Sequence, residues 1–199
     1  MTTPSPKTPA PRLWAGLAAL GVTVACGGAA LSWSADDGDR PRVTDTRAGV
    51  SYTVPEGWRH DPAADRELLG AFSSRISHAS EAAPAEDATV LTGAAGRPVP
   101  SAELRRTAEG AARSNAAFFF PDAAPALTES RRTELGGRPA HTVALDVPHD
   151  GGTARVELTV TAGNHPAFLL ALASNAADSR VLADVHAVEA SVALGGRAS

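Results

Sequence analysis

The stretch GGRPAHTVALDVPHDGGTARVELTVTAGNHPAFLLALA, residues 136–173, decides the fold class. Its apolar residues recur at every second position, first Val143, Leu145 and Val147, then Val156, Leu158 and Val160. That period marks strands with one buried face. Turn formers separate the runs: Gly136-Gly137, then Pro148-His149-Asp150-Gly151-Gly152, then Gly163-Asn164-His165-Pro166. Gly136-Gly137 supplies the positive φ that a two-residue hairpin needs. Strands are thus expected over 140–147, 153–161 and 167–173, preceded by a polar, half-exposed strand over 127–135. Residues 158–177 carry no formal charge, but the Gly-Asn-His-Pro break splits them, so they do not read as a membrane span.

Working outward, two helices flank this hairpin run. Ser101, after Pro100, is placed to cap a helix whose face is Leu104, Ala108, Ala111, Asn115 and Phe118, with Pro121 ending it. Asp178 or Ser179 caps a second helix with the stripe Val181, Val185, Val188 and Val192, stopped by Gly195-Gly196. Val50, Tyr52 and Val54 alternate as a strand, and Pro55-Glu56-Gly57 then turns the chain to present Trp58 to the core. Leu69 to Ile76 reads as a strand in competition with a short helix starting near Asp65, and Ala88 to Thr92 as another strand. The sum is an α+β domain: a mostly antiparallel sheet of about six or seven strands with two main helices packed on it.

Ahead of the domain stands the segment LWAGLAALGVTVACGGAALSW, residues 13–33, free of formal charge. At 1.5 Å per residue it would reach roughly 30 Å as a helix, the thickness of a bilayer's hydrocarbon core. Lys7 and Arg12 precede it and Asp36, Asp37 and Asp39 follow it, which places the N-terminus inside and the domain outside. The leading expectation is one retained membrane helix. Cys26 opens another: Thr23-Val24-Ala25-Cys26 resembles a bacterial lipobox, in which the cysteine is lipidated and the leader removed. The division is then 1–12, a disordered cytoplasmic N-terminus; 13–33, the membrane segment or lipoprotein signal; 34–48, a charged linker; and 49–195, the extracytoplasmic domain.

Composition narrows the function. The 199-residue chain has net charge −4, and since Lys7 and Arg12 precede Trp33, the remainder is more acidic still. An acidic domain without a basic cluster argues against nucleic acid as a partner. Cys26 is the single cysteine, so neither an intrachain disulfide nor a cysteine nucleophile belongs to the domain. Seventeen arginines against one lysine, with abundant alanine, fit a GC-rich bacterial genome. There is no Gly-x-Ser-x-Gly elbow, no phosphate-binding Gly-Lys loop and no His-Glu-x-x-His. The six histidines have no metal-like spacing, so no catalytic, cofactor or metal residue is assigned. His149 and His165 are expected on surface turns, and His141 as a half-buried, hydrogen-bonded residue of a strand.

Three further motifs carry a family likeness: VPEGW at 54–58, GGRPAHTVALDV at 136–147, and AFLLALAS at 167–174 leading to a final helix that ends in EASVAL. With them, residues from Gly49 to about Leu194 resemble the PsbP-like α/β/α sandwich domains, and among these the LpqN-type envelope proteins of actinobacteria. The resemblance implies a non-catalytic binding or accessory fold and transfers no catalytic set. Phe118, Phe119 and Phe120, outside those motifs, read first as a cover for the core at the helix end; one of them must point away from the helix stripe, which makes the triple the candidate lining of a ligand groove or contact for a partner, since clustered exposed aromatics mark interaction sites. The expected partners are the membrane, through the N-terminal segment, and an envelope protein or small envelope ligand. An envelope hydrolase with a dispersed Ser/His/Asp set is the competing class.

Overall fold

The computed structural model describes residues 40–79 and 86–195. Strand β1 (Arg42–Asp45) pairs with β2 (Val50–Thr53) in a tight antiparallel ribbon. This corrects the expected linker over 34–48, whose last residues are folded. The ribbon is held because Asp45 turns inward and its Oδ1 accepts the backbone N–H groups of Arg47 and Ala48 at 3.1 and 2.9 Å. The membrane segment 13–33 and Cys26 lie outside the described residues. Among the described residues no helix is long and apolar enough to cross a membrane.

After the Pro55-Glu56-Gly57 turn, where Gly57 takes φ +82°, β3 (Trp58–His60) leads to a 3-10 turn over Ala64–Glu67 and then β4 (Phe72–His78). Both competing expectations for this stretch are thus realised in part. The strand starts at Phe72, not Leu69, and Leu69 is 71% exposed. Next come β5 (Ala88–Ala94), α1 (Leu104–Phe119), β6 (Ala126–Leu135), β7 (Arg138–His149), β8 (Gly152–Thr161), β9 (Ala167–Ala173), α2 (Ser179–Ala190) and β10 (Ala193–Leu194). The large sheet runs β3-β4-β5-β9-β8-β7-β6, antiparallel throughout, and the small one β1-β2-β10.

The hairpin run folds with little slack. Gly136-Gly137 closes β6 on β7 with φ +55° and +76°. The next turn is tighter than expected: Asp150-Gly151 alone, φ +47° and +77°, joins His149 to Gly152. Two positive φ values in succession match the twist of the strands they join. α2 ends at Ala190, before the expected glycines, and Ala193–Leu194 adds a strand beside β2.

Side chains of successive strand residues face opposite ways, which gives the large sheet two covered faces. On one, Leu169 and Ala171 join Val181, Val185, Val188 and Val192, with Tyr52 and Trp58 closing that core. The expected α2 stripe is the buried one, and Asp178 caps the helix by accepting the N–H groups of Arg180 and Val181. On the other face, Leu158, Leu170 and Val143 are cross-strand neighbours, and α1 lies over β6, β7 and β8. Its buried stripe is Leu104, Ala108, Ala112 and Ala116. The expected set was rotated off this line because so alanine-rich a helix offers two small-residue faces, and the sheet selects the i+4 row. Ser101 does not cap α1; Glu103 occupies that position, and its side chain accepts no hydrogen bond from the first turn.

Candidate functional site

The i+4 row of α1 continues past its last turn to Phe120, which is 4% exposed and whose N–H still bonds to Ala116 at 2.8 Å. Phe118, two residues earlier, must therefore face outward, and it is 69% exposed. Phe119 stands between the two, half-buried. The triple is split between its two readings: Phe120 belongs to the core and packs edge-on against His149 at 5.0 Å. Phe118 and Phe119 meet edge-on at 5.0 Å between ring centroids.

These two rings continue into a cluster that the sequence did not announce. Phe119 approaches Phe72 at 6.3 Å, and Phe72 meets Phe168 at 5.7 Å, nearly perpendicular. Phe72 opens β4 and Phe168 lies near the start of β9, and both are paired across Gly93 of β5. A Cβ on Gly93 would stand 2.1 Å from the Ala71 carbonyl oxygen and 2.5 Å from the Phe168 ring, so only glycine lets the two rings close over it. Neighbouring strands turn by about 20–25° each, so β4, four places from β7, runs roughly across it and its first residues approach the end of α1. Four of the chain's five phenylalanines form one ring-to-ring series, ending in the exposed Phe118.

At the other end of α1 the same face carries an open cleft of about 590 Å³. Leu104, Arg105, Arg132, Thr133 and His141 are among its walls. Arg132 and His141 stand directly opposite each other on β6 and β7. His141 is 3% exposed, deeper than the half-buried position expected, and its Nε2 lies 2.9 Å from Ser130 Oγ. Ser130 in turn donates to Glu109 Oε1 at 2.8 Å. A serine, a histidine and a carboxylate are thus adjacent, a grouping hidden in the sequence because strand register creates it.

The order of the three decides what they can do. A serine hydroxyl has one proton, and here it goes to Glu109. His141 must then donate from Nε2 to Ser130 and cannot act as its base. In a catalytic triad the acid orients the histidine and the histidine accepts from the serine. Here the acid sits on the serine, so the group fixes a tautomer and does not arm a nucleophile. Burial pushes the His141 imidazole below its usual value, with Arg105 and Arg132 adding to the shift against Glu109, so the ring stays neutral.

Two other histidines are paired locally. His60 lies 2.8 Å from Asp65, and His78 2.6 Å from Asp87. His149 ends β7 instead of lying in a turn, while His165 is exposed as expected. On the α2 face, His186 Nε2 stands 3.5 Å from the buried Glu157, beside Glu189. Among the described residues no group of three or more His, Cys, Asp or Glu side chains is arranged to hold a metal ion.

No family model matches the chain, and no curated protein matches it. Solved structures do. The cyanobacterial PsbP protein of Synechocystis sp. PCC 6803 superposes with a TM-score of 0.57 at 14% identity, covering 86% of this chain and 98% of its own. LpqN, described as involved in cell envelope biogenesis of Mycobacterium tuberculosis, gives 0.55 at 15% identity, covering 80% of this chain and 87% of its own. Two helices on an antiparallel seven-stranded sheet, in a chain that superposes on most of the length of these two proteins, show a PsbP-like fold.

Proposed function

We propose that this chain is a non-catalytic binding or accessory domain working outside the cytoplasmic membrane, tethered there by residues 13–33 or by a lipid on Cys26. The observation that carries the binding role is the phenylalanine series, which starts in the sheet and ends at Phe118, 69% exposed. An aromatic ring held at that exposure gains nothing from folding, and such rings dominate contact energies when a partner covers them. Leu69, 71% exposed, lies three residues before Phe72 and adds apolar area to the same segment. The envelope setting draws support from the uncharged segment with its charge asymmetry, and from LpqN, whose own role is in envelope biogenesis. The partner is a protein of the envelope, because a flat ring cluster suits a protein surface better than a small molecule.

A photo-crosslinker placed at position 118 of the full-length chain in intact cells tests this. We expect one saturable adduct, competed away by added unlabelled domain and lost with Phe119→Ser. Catalytic turnover of an ester or glycoside by the purified chain, abolished by Ser130→Ala, would overturn it in favour of the hydrolase class.

A further inference from the structure

We propose that the cleft at the start of α1 is a second binding site, for a small ligand that carries a carboxylate or phosphate beside a hydrogen-bond donor. The anion half of the site is built from the helix start with Arg105 and Arg132, beside one carboxylate of the wall, Glu134. α1 is 16 residues long, its N-cap Glu103 places no side chain on the first turn, and that turn holds no acidic residue. The first N–H groups of a helix have no partner inside it, and they attract negative charge. Arg105 stands on the same turn, only 3.6 Å from Glu109 but largely exposed, and Arg132 faces the cleft from β6 with no ion pair among the described residues.

The second half comes from His141. Its side chain is almost wholly enclosed, it lines the cleft, and among the described residues it is hydrogen-bonded through Nε2 alone. Since Ser130 passes its proton to Glu109, Nε2 carries the imidazole proton and Nδ1 is left as a bare acceptor. Nδ1 has no hydrogen-bond partner among the described residues, on a side chain that lines the cleft. An acceptor held in one tautomer by a Ser–Glu relay is a specific group for a ligand to meet. It calls for a hydroxyl or amide N–H on the ligand, next to the anion that the guanidinium groups and helix start would take. A sugar acid or a sugar phosphate has that combination, and the cleft volume accommodates one ring.

The test uses the full-length chain with three probes: D-glucuronate, glucose 6-phosphate and uncharged D-glucose. The His141 imidazole nitrogens are followed by NMR and the affinities by titration calorimetry. We expect a saturable shift at Nδ1 with one or both anionic sugars and none with glucose, the stronger of the two identifying the anion. Arg132→Gln, on an exposed strand position, should weaken binding about tenfold, the loss of one charge-assisted contact. His141→Gln retains a donor toward Ser130 but removes the Nδ1 acceptor, and should weaken binding; His141→Asn retains an acceptor near Nδ1 and should bind better than the glutamine variant. Glucose binding as tightly as the anions, an Arg132→Gln variant with unchanged affinity, or no binding of any probe at tens of millimolar would each overturn the proposal.

Discussion

Thr92, on β5 of the large sheet, donates a hydrogen bond of 2.6 Å to Asp45, on β1 of the small one. The bond is the last link of a buried series. Thr92 Oγ1 lies 2.6 Å from Ser74, and Ser74 2.8 Å from the Tyr52 hydroxyl. Because a carboxylate only accepts, the direction is fixed: Tyr52 donates to Ser74, Ser74 to Thr92, and Thr92 to Asp45. Ser73 donates to Asp45 as well, at 2.5 Å. Burial pushes the Tyr52 phenol far above its ordinary value, so it remains a donor at any pH the protein meets.

Removing the acceptor at the end of that series should cost more than removing the donor at its head. Asp45→Asn turns an N–H₂ group toward hydroxyls that must donate, and should lower stability by about 2–3 kcal/mol. Tyr52→Phe leaves one serine acceptor unfilled and should cost about 1 kcal/mol. Urea denaturation of the two variants checks the order. Equal losses would mean that the series does not run one way.

Phe118 and Phe120 separate binding from folding within three residues. Phe118→Ser should leave stability within about 0.5 kcal/mol of the parent, since exposed positions contribute little. Phe120→Ala empties a core position and should cost about 3 kcal/mol or more. If binding runs through the ring cluster, the crosslinked adduct disappears in the first variant although the fold is intact.

Gly93 is predicted to be the most sensitive glycine of the large sheet. Gly93→Ala forces its methyl into the Ala71 carbonyl and the Phe168 ring, and should destabilise the domain by about 2–3 kcal/mol while displacing Phe72. Thermal unfolding gives the cost. The aromatic NMR shifts of Phe72 and Phe168 give the displacement. Gly136→Ala, where φ is +55° and Leu194 lies 2.7 Å from the added Cβ, should instead loosen the β10 contact.

Much of this architecture could be read from periodicity, and the places where it could not have physical causes. The hairpins at 136–173 were legible because a two-residue alternation and glycine pairs both pointed the same way. The α2 stripe was legible because valines stand nowhere else on that helix than its core face. β1 was not: Arg42-Val43-Thr44-Asp45 has the composition of a tether, and what folds it is pairing with β2 and an inward carboxylate. The aromatic triple was visible as an unusual run, but which ring faced out depended on the row of α1 that the sheet selected. Phe72 and Phe168 join it only through Gly93, and Ser130, His141 and Glu109 only through strand register and helix placement. Periodicity reports which face is buried. It carries no information on which distant residues share that face.

Glu189 supplies a prediction with a definite sign. Burial holds its carboxyl above the ordinary value of 4.5; the nearby Glu157 adds to this, while Thr159 donating to Oε1, with His186 and Arg131, opposes it. A carboxyl with a raised value in the folded state favours folding while protonated. That contribution is full below the unfolded value and is lost as pH rises through the folded one. Glu189→Gln keeps an oxygen for Thr159 and removes the charge that must otherwise be buried. The variant should match the parent near pH 4 and exceed it by about 1 kcal/mol near pH 7, the scale of one polar group left poorly solvated. Glu56→Gln, at an exposed turn, should show no such divergence. Urea titrations at both pH values measure the gap. A constant difference between Glu189→Gln and the parent would mean that the folded chain accepts this charge without penalty, with His186 or Arg131 balancing it in full.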